Sequence, residues 1–240
     1  MEYFDMLAKL GIGNAHPGGF AATLKQFEQY PLPPSSRILE VGCGTGRTSC
    51  YLAAQDHDVV GIDIRPDMIA KAKMRAEKEN ATVTFLEGDA TSLPFPDESF
   101  DVILVESVSI FTDTGKALSE YHRVLRSGGQ LFDREMIQRK PMSTEINQEI
   151  TKFYHVEKLR GIKDWSDLVK TIGFIRSQIE GPFRFPKSSE DLFEHPDYYQ
   201  QIDVGSFLDL SIWEVISKYN NIMDSYEEYI GYILVIGTKE

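Results

Sequence analysis

A short apolar segment followed by three alternating glycines constrains the fold of this 240-residue chain more than any other feature. The segment 37–41 is typical of a buried strand, and Gly42, Gly44 and Gly46 follow it directly, ahead of a helix-like segment. Glycine permits positive φ angles and lets a ligand approach the backbone closely. The first turn of the helix adds backbone N–H groups that have no hydrogen-bond acceptor within the helix. We therefore interpret this stretch as a ligand-binding turn between a strand and a helix.

Strand-like and helix-like segments alternate after these glycines. The predicted strands are 37–41, 58–64, 83–88, 101–106 and 129–133, and the predicted helices between them are 47–55, 66–78 and 115–126, the last capped by Gly128 and Gly129. Helices at 143–159 and 165–172 and strands at 174–180 and 229–237 continue the pattern. Nearly continuous apolar strands separated by helices predict an α/β fold with a doubly wound, mostly parallel sheet. Ligands of such sheets bind at the edge formed by the carboxyl ends of the strands.

Two regions lie outside this alternation. Residues 1–34 contain an apolar helical stripe, two glycine-rich breaks and a second short helix, and we expect them to form a helical lid. Residues 183–228 form an insertion rich in aromatic side chains, either a substrate cap or a peripheral cover with its own small core, and packing is the favoured interpretation. The core is assigned to residues 35–182 and 229–240.

Composition narrows the possible partners. The formal net charge is −12, and an acidic surface repels nucleic acid and anionic membranes. No run of about 18 apolar residues occurs, and the first residues do not resemble a signal peptide. The two cysteines, Cys43 and Cys50, are too few for a disulfide framework or a zinc site. We expect a cytoplasmic, metal-free protein, a monomer or homodimer.

The glycine spacing and three carboxylates indicate the ligand. A dinucleotide fingerprint requires a third glycine where this chain has Arg47, and the lysine of a nucleotide-hydrolase phosphate loop is missing. Glu40, Asp63 and Asp89 each fall at the end of a predicted strand. A carboxylate at the end of the second strand can accept both ribose hydroxyls, and one beside the glycines favours an ammonium over a pyrophosphate. The set describes a pocket for an adenosine that carries a cationic amino-acid tail.

These motifs, taken in order, resemble those of the class I S-adenosylmethionine-dependent methyltransferases. The matching stretches are Leu-Glu-Val-Gly-Cys-Gly-Thr-Gly at 39–46, Val-Gly-Ile-Asp at 60–63, Gly-Asp-Ala at 88–90 and Leu-Arg-Ser-Gly-Gly at 125–129. The resemblance covers residues 35–140 closely and the last strand loosely. It implies a Rossmann-like sheet of seven strands with the last strand antiparallel, S-adenosyl-L-methionine as cofactor and S-adenosyl-L-homocysteine as product.

The resemblance also assigns the cofactor-binding residues one by one. The methionine end is assigned to Glu40, Gly42, Cys43, Gly44 and Gly46; the ribose to Asp63; the adenine to Ile64, Met68, Asp89 and Ala90; and the neighbourhood of the methyl group to Glu106 and Ser107.

Methyl transfer from a sulfonium is an in-line displacement, which needs a base only if the acceptor must lose a proton. No Asn/Asp-Pro-Pro-Tyr/Phe or Pro-Cys follows the fourth strand, and with the acidic charge we predict a small-molecule acceptor. His16, with Glu106, is the catalytic candidate, although His16 is equally a turn residue before Pro17. Asp133, Arg134 and Glu135 would follow the fifth strand and either orient the acceptor or cap the strand. The alternatives are a protein methyltransferase, a regulatory S-adenosylmethionine-binding protein and a nicotinamide oxidoreductase.

Overall fold

A single seven-stranded sheet organises the computed structural model, which describes residues 1–185 and 194–240. The strands are β1 (Arg37–Val41), β2 (Asp58–Asp63), β3 (Val83–Glu87), β4 (Phe100–Glu106), β5 (Leu125–Gln138), β6 (Arg176–Phe183) and β7 (Ile230–Thr238). The helices are α1 (Tyr3–Leu10), α2 (Gly19–Gln29), α3 (Arg47–Ala53), α4 (Pro66–Glu79), α5 (Thr114–Val124), α6 (Thr144–Tyr154), α7 (Ile162–Ile172) and α8 (Leu210–Tyr226).

The sheet order is β3-β2-β1-β4-β5-β7-β6. The first five strands in the chain pair in parallel, whereas β7 runs antiparallel to both β5 and β6. This confirms the predicted doubly wound sheet with an antiparallel last strand. The strand order reverses between β1 and β4, so the end of β1 and the end of β4 flank the point where ligands of such sheets bind.

Both faces of the sheet are covered by helices, as continuous apolar strands require. On one face, Ile38 and Phe132 pack with α3 and with Phe27 of α2. On the other face, Leu39 and Leu131 belong to the main apolar cluster, which α5, α7 and the N-terminal helix share. Alternate residues of β1 therefore serve two different cores.

The fifth strand is longer than predicted. It runs from Leu125 to Gln138, and the predicted helix cap at Gly128 and Gly129 was wrong because α5 already ends at Val124. The Gly128 N–H donates to the carbonyl of Lys239, 2.8 Å away. Because β7 pairs with β5 from residue 130 to residue 138, the strand continues past its predicted end.

Asp133, Arg134 and Glu135 therefore lie inside β5, not after it as predicted. The helix predicted at 143–159 also ends early. It begins after Ser143, whose side chain accepts the N–H of Ile146, and ends at Tyr154, where His155 takes a left-handed conformation.

The N-terminal helix, α6 and α8 together form a cap, a name used below for these three helices. Tyr3 of α1 lies at its centre, with ring centroids 5.3 Å from Tyr154, 5.6 Å from Phe153 and 5.8 Å from Tyr219. The described part of the insertion thus packs into the same core as the N-terminal helix and α6. Residues 186–193 of the predicted insertion lie outside the described residues. No helix in the described ranges is long and apolar enough to cross a membrane.

Candidate active site

The glycine loop leaves β1 in a conformation that suits a closely bound ligand. Gly42 and Gly44 both have positive φ angles, 70° and 52°. A Cβ at Gly42 would lie 2.2 Å from a methyl carbon of Val108, so a side chain is excluded there by packing. A Cβ at Gly44 would meet no atom within 4 Å. Gly44 therefore faces open space in front of the loop, where a ligand can approach the backbone.

Glu40 gives the floor of this loop an acidic character. Its side chain is buried and accepts a hydrogen bond from the Ser49 hydroxyl of α3. Burial raises the pKa of the Glu40 carboxyl to about 8, and the negative charges of Glu106 and Asp63 add to that rise. A nearby cation would stabilise the ionised carboxylate, whereas a pyrophosphate would be repelled.

Asp63 connects the glycine loop to the end of β2. One carboxylate oxygen, Oδ2, accepts the Gly44 N–H at 3.0 Å, and Oδ1 accepts the Arg65 N–H at 2.9 Å. Burial raises the pKa of Asp63 above its usual value, in opposition to these two donors. Its position next to the open space at Gly44 is the one that the sequence motif predicts for binding ribose hydroxyls.

The residues predicted to bind adenine follow β2 and β3. The third strand ends at Glu87, so Asp89 lies two residues beyond it and not at its last position, as predicted. The Asp89 side chain accepts the N–H and the hydroxyl of Thr91, both at 2.8 Å. Ala90 and Met68 are buried in the main apolar cluster, whereas Ile64 is 65% exposed.

A buried polar cluster surrounds Glu106 at the end of β4. Its Oε1 accepts from the Thr23 hydroxyl at 2.6 Å, and its Oε2 accepts from the Thr48 hydroxyl at 3.2 Å. Arg134 Nε lies 3.6 Å from Oε1, and His16 Nε2 lies 3.5 Å from Oε2. The side chains of His16 and Glu106 are only 7% and 5% exposed. Residues far apart in sequence therefore meet beside the strand-order reversal.

Arg134 and Ser107 complete this cluster. The Arg134 guanidinium also donates to the Gln26 side chain at 2.7 Å and to the carbonyl of Ala22 at 3.0 Å. Ser107 has a φ of 64°, and its N–H donates to the carbonyl of Arg134 at 2.7 Å. The sequence predicted Arg134 at the ligand-binding edge of the sheet, as the structure shows. Its position next to an apolar strand could have indicated that the charge is buried and needs a partner.

A segment of the insertion, residues 195–206, crosses to the glycine loop and is called the strap below. Arg75 of α4 binds both carboxylate oxygens of Asp197, at 2.9 and 2.6 Å, and donates to the carbonyl of Thr45 at 2.9 Å. Arg47 donates to the carbonyl of His195 at 2.7 Å. The sequence contains no sign of the contacts with Asp197 and His195 because more than a hundred residues separate the partners. Arg75 is fully buried, so its charge requires such a partner.

The acidic side chains of this site fit S-adenosylmethionine better than a dinucleotide. Acidic side chains at the ends of β1, β2 and β4 suit a ligand with an ammonium, a sulfonium and ribose hydroxyls. Gly44 leaves room for such a ligand against the backbone. No group of three or more potential metal ligands is formed by the described residues.

Sequence comparison establishes the family to which this site belongs. A methyltransferase domain model matches residues 39–133. The uncharacterized methyltransferase YodH of Bacillus subtilis (strain 168) is 31% identical over 238 residues, 99% of this chain and 99% of that protein. The chain therefore belongs to the class I S-adenosylmethionine-dependent methyltransferases, with S-adenosyl-L-methionine as cofactor and S-adenosyl-L-homocysteine as product.

Solved structures share the same fold at lower sequence identity. Phosphoethanolamine N-methyltransferase 2 of Haemonchus contortus, in complex with S-adenosyl-L-methionine, has a TM-score of 0.78 at 22% identity, covering 98% of this chain and 57% of that chain. The [4+2]-cyclase SpnF has a TM-score of 0.72 at 22% identity, covering 98% of this chain and 92% of that chain. At these identities the likeness extends to the fold alone.

Proposed function

We propose that this methyltransferase transfers the methyl group to a small-molecule acceptor by direct in-line displacement, with His16 and Glu106 next to the reacting atoms. The observation that carries the proposal is the pairing of His16 with Glu106 at 3.5 Å, with both side chains almost fully buried. Because both side chains are almost fully buried, a small molecule is favoured as acceptor over a folded protein surface. The net charge of −12 also disfavours a nucleic-acid acceptor.

The bound cofactor supplies a methyl group on a positively charged sulfur. Glu40 and the glycine loop would hold its methionine end, and Asp63 would hold its ribose. His16 would accept a proton from the acceptor, because the Glu106 carboxylate stabilises the imidazolium that results. Thr23, Thr48 and Arg134 fix the Glu106 carboxylate through the contacts described above. Exclusion of water and alignment of the acceptor would supply most of the rate gain.

The N-terminal segment is proposed to close this site. A Cβ at Gly13 would lie 2.4 Å from the Thr45 hydroxyl, so the segment touches the glycine loop directly. The strap holds it from outside, since the Gln200 side chain donates to the carbonyl of Leu10 at 2.8 Å and the Asp203 N–H donates to the carbonyl of Lys9 at 2.8 Å. Residues 1–34 together with the strap would act as a lid over the bound cofactor.

Hydrogen exchange tests the lid. Addition of S-adenosyl-L-homocysteine should slow exchange at residues 3–20, because a ligand under the segment stabilises its closed form. Residues 131–137 in the centre of β5 serve as an internal reference that should not respond. Exchange that is equally slow with and without the ligand would mean that the segment is permanently fixed.

A methyl-transfer assay tests the acceptor class. The enzyme is incubated with S-adenosylmethionine labelled in its methyl group, together with a panel of small amines, alcohols, thiols and carbon acids, or with a cell protein extract. We expect label in a low-molecular-mass product, and much less of it with the Asp63→Ala variant at a cofactor concentration that does not saturate that variant. Label incorporated into protein would instead support a protein methyltransferase. Binding of S-adenosyl-L-homocysteine without transfer to any acceptor would support a regulatory protein.

A further inference from the structure

Two carboxyl groups lie side by side in the interior of β5, outside the cofactor site. Asp133 and Glu135 are two residues apart, so they share one face of the strand, and both are 0% exposed. Their neighbours in the sheet are apolar: Val105 of β4 and Val235 of β7 pair with Asp133, and Ile233 of β7 pairs with Glu135. Two ionised carboxylates in contact in such surroundings would repel each other strongly.

The hydrogen bonds around the pair leave one oxygen of each carboxyl group without a donor, which favours a shared proton. Asp133 Oδ2 accepts from the Ser109 hydroxyl at 2.8 Å, and Glu135 Oε1 accepts the N–H groups of Val108 and Ser109 at 2.9 and 2.6 Å. The other two carboxyl oxygens, Asp133 Oδ1 and Glu135 Oε2, are buried and have no hydrogen-bond partner among the described residues. Both carboxyl groups therefore bind Ser109, and each leaves one buried oxygen without a donor. Two carboxyl oxygens can bond to each other only when one of them carries a proton.

The electrostatic surroundings keep that proton in place at neutral pH. Burial raises the pKa of Asp133 to about 7, and burial together with the charge of Asp133 raises the pKa of Glu135 further. From α5, the hydroxyl of Tyr121 faces the pair through Ser109, 3.4 Å away, and burial raises its pKa too. The cation connected to this group, Arg160, is two hydrogen bonds from Ser109, through Thr114.

The pair holds a loop that joins the cofactor site to the cap. This loop, residues 107–111, follows β4 and contains Ser107 in its left-handed conformation. Val108 packs onto Gly42 of the glycine loop. At its other end, the Phe111 ring lies 4.8 Å from the Phe4 ring of α1 in an edge-to-face arrangement. A shift of this loop would therefore move both the floor of the cofactor site and the contact with the cap.

We propose that Asp133 and Glu135 are a proton-sharing pair of positioning residues that hold the 107–111 loop in its active arrangement and release it when the shared proton is lost. The proposal rests on the proposed function, because a shift of this loop changes methyl transfer only if the active site lies where we propose. A raised pKa in the folded state means that the fold prefers the protonated pair. The stabilisation that the pair contributes is therefore present at low pH and is lost as pH rises through the folded pKa.

Matched substitutions separate this role from simple packing. Glu135→Gln keeps the shape, keeps an acceptor for the two N–H groups and places a permanent donor opposite Asp133, so it imitates the protonated pair. Glu135→Ala leaves two buried N–H groups without an acceptor, and kcat/KM should fall about tenfold or more at neutral pH. Glu135→Gln should retain most of the wild-type kcat/KM. Glu77→Gln, on the exposed face of α4, is the control for a Glu-to-Gln substitution as such and should leave kcat/KM unchanged.

The decisive readouts are the protonation state and its dependence on pH. The pKa of Glu40 is also raised, to about 8, so the readout is a difference spectrum. The infrared spectrum of the wild type minus that of Glu135→Gln at neutral pH should show the carbonyl band of a protonated carboxylic acid. Hydrogen-exchange protection of residues 107–111, corrected for the intrinsic effect of pH on exchange, should decline with rising pH in the wild type and stay constant in Glu135→Gln.

Three results would overturn the proposal: no acid band in the difference spectrum, a decline in protection that persists unchanged in Glu135→Gln, or neutral-pH activity as low in that variant as in Glu135→Ala. The spectra and the exchange are measured on the unliganded chain. Failure of the proposed function would instead appear as a lack of transfer by the wild type, with these two readouts unaffected.

Discussion

Replacing Asp63 with alanine should weaken binding of S-adenosyl-L-homocysteine by about 1.5–3 kcal/mol, or roughly 10- to 150-fold in the dissociation constant. Two effects act in the same direction. The substitution removes the carboxylate predicted to bind the ribose hydroxyls, and it removes the acceptor of the Gly44 N–H that holds the glycine loop against β2. Titration calorimetry measures the constant directly.

The control for this prediction lies on the same strand. Asp58 begins β2 at the opposite edge of the sheet, and its exposed side chain forms an ion pair with Arg37 at 3.3 Å. Asp58→Asn should leave the affinity unchanged, since an exposed ion pair contributes little. Asp89→Ala should weaken binding less than Asp63→Ala, because water reaches the edge of an adenine site. Equal affinity of the wild type and Asp63→Ala would refute the proposed cofactor geometry.

Replacing His16 with glutamine should lower kcat by about 100-fold or more, the usual contribution of a general base. Binding of S-adenosyl-L-homocysteine should be nearly unchanged, because His16 is proposed to act on the acceptor. The measurement is steady-state kinetics with the acceptor identified in the transfer assay, together with calorimetry. Glu106→Gln should also reduce kcat, since it keeps an acceptor for only one of the Thr23 and Thr48 hydroxyls and removes the charge that would stabilise the imidazolium.

His57→Gln is the matched control for the histidine substitution. His57 directly precedes β2, at the edge of the sheet opposite the active site, and its replacement should change neither kcat nor affinity. If His16→Gln retains full turnover, His16 has no role as a base and is a turn residue before Pro17. If it loses cofactor binding as well as turnover, the histidine contributes to the cofactor site instead.

The overall architecture follows from local sequence patterns. Apolar strands alternating with helices predict the parallel sheet, and the glycine turn after 37–41 predicts where the ligand binds. Glu40, Asp63 and Asp89 were predicted at strand ends, which a parallel sheet brings to one edge, and Glu106 was predicted at the end of the fourth strand. The structure agrees for Glu40, Asp63 and Glu106, at the ends of β1, β2 and β4, whereas Asp89 lies two residues beyond β3.

Element boundaries depend on partners that the sequence does not reveal. The end of β5 was predicted too early because charged residues interrupt its apolar run at Asp133. Pairing with β7 from residue 130 to residue 138 extends the strand. Asp133 and Glu135 are accommodated in this strand because both carboxyl groups accept hydrogen bonds from the 107–111 loop.

The sequence by itself determined the α/β sheet, the glycine loop, the family and the acidic residues at the ends of the strands, because these depend on periodicity and on short motifs. Only the tertiary structure decided that His16 lies against Glu106, that the strap binds Arg75 through Asp197, and that α1 packs with α6 and α8. Each of these contacts joins segments about 90 to more than 200 residues apart. Such contacts depend on how the chain closes on itself, for which a local sequence pattern contains no signal.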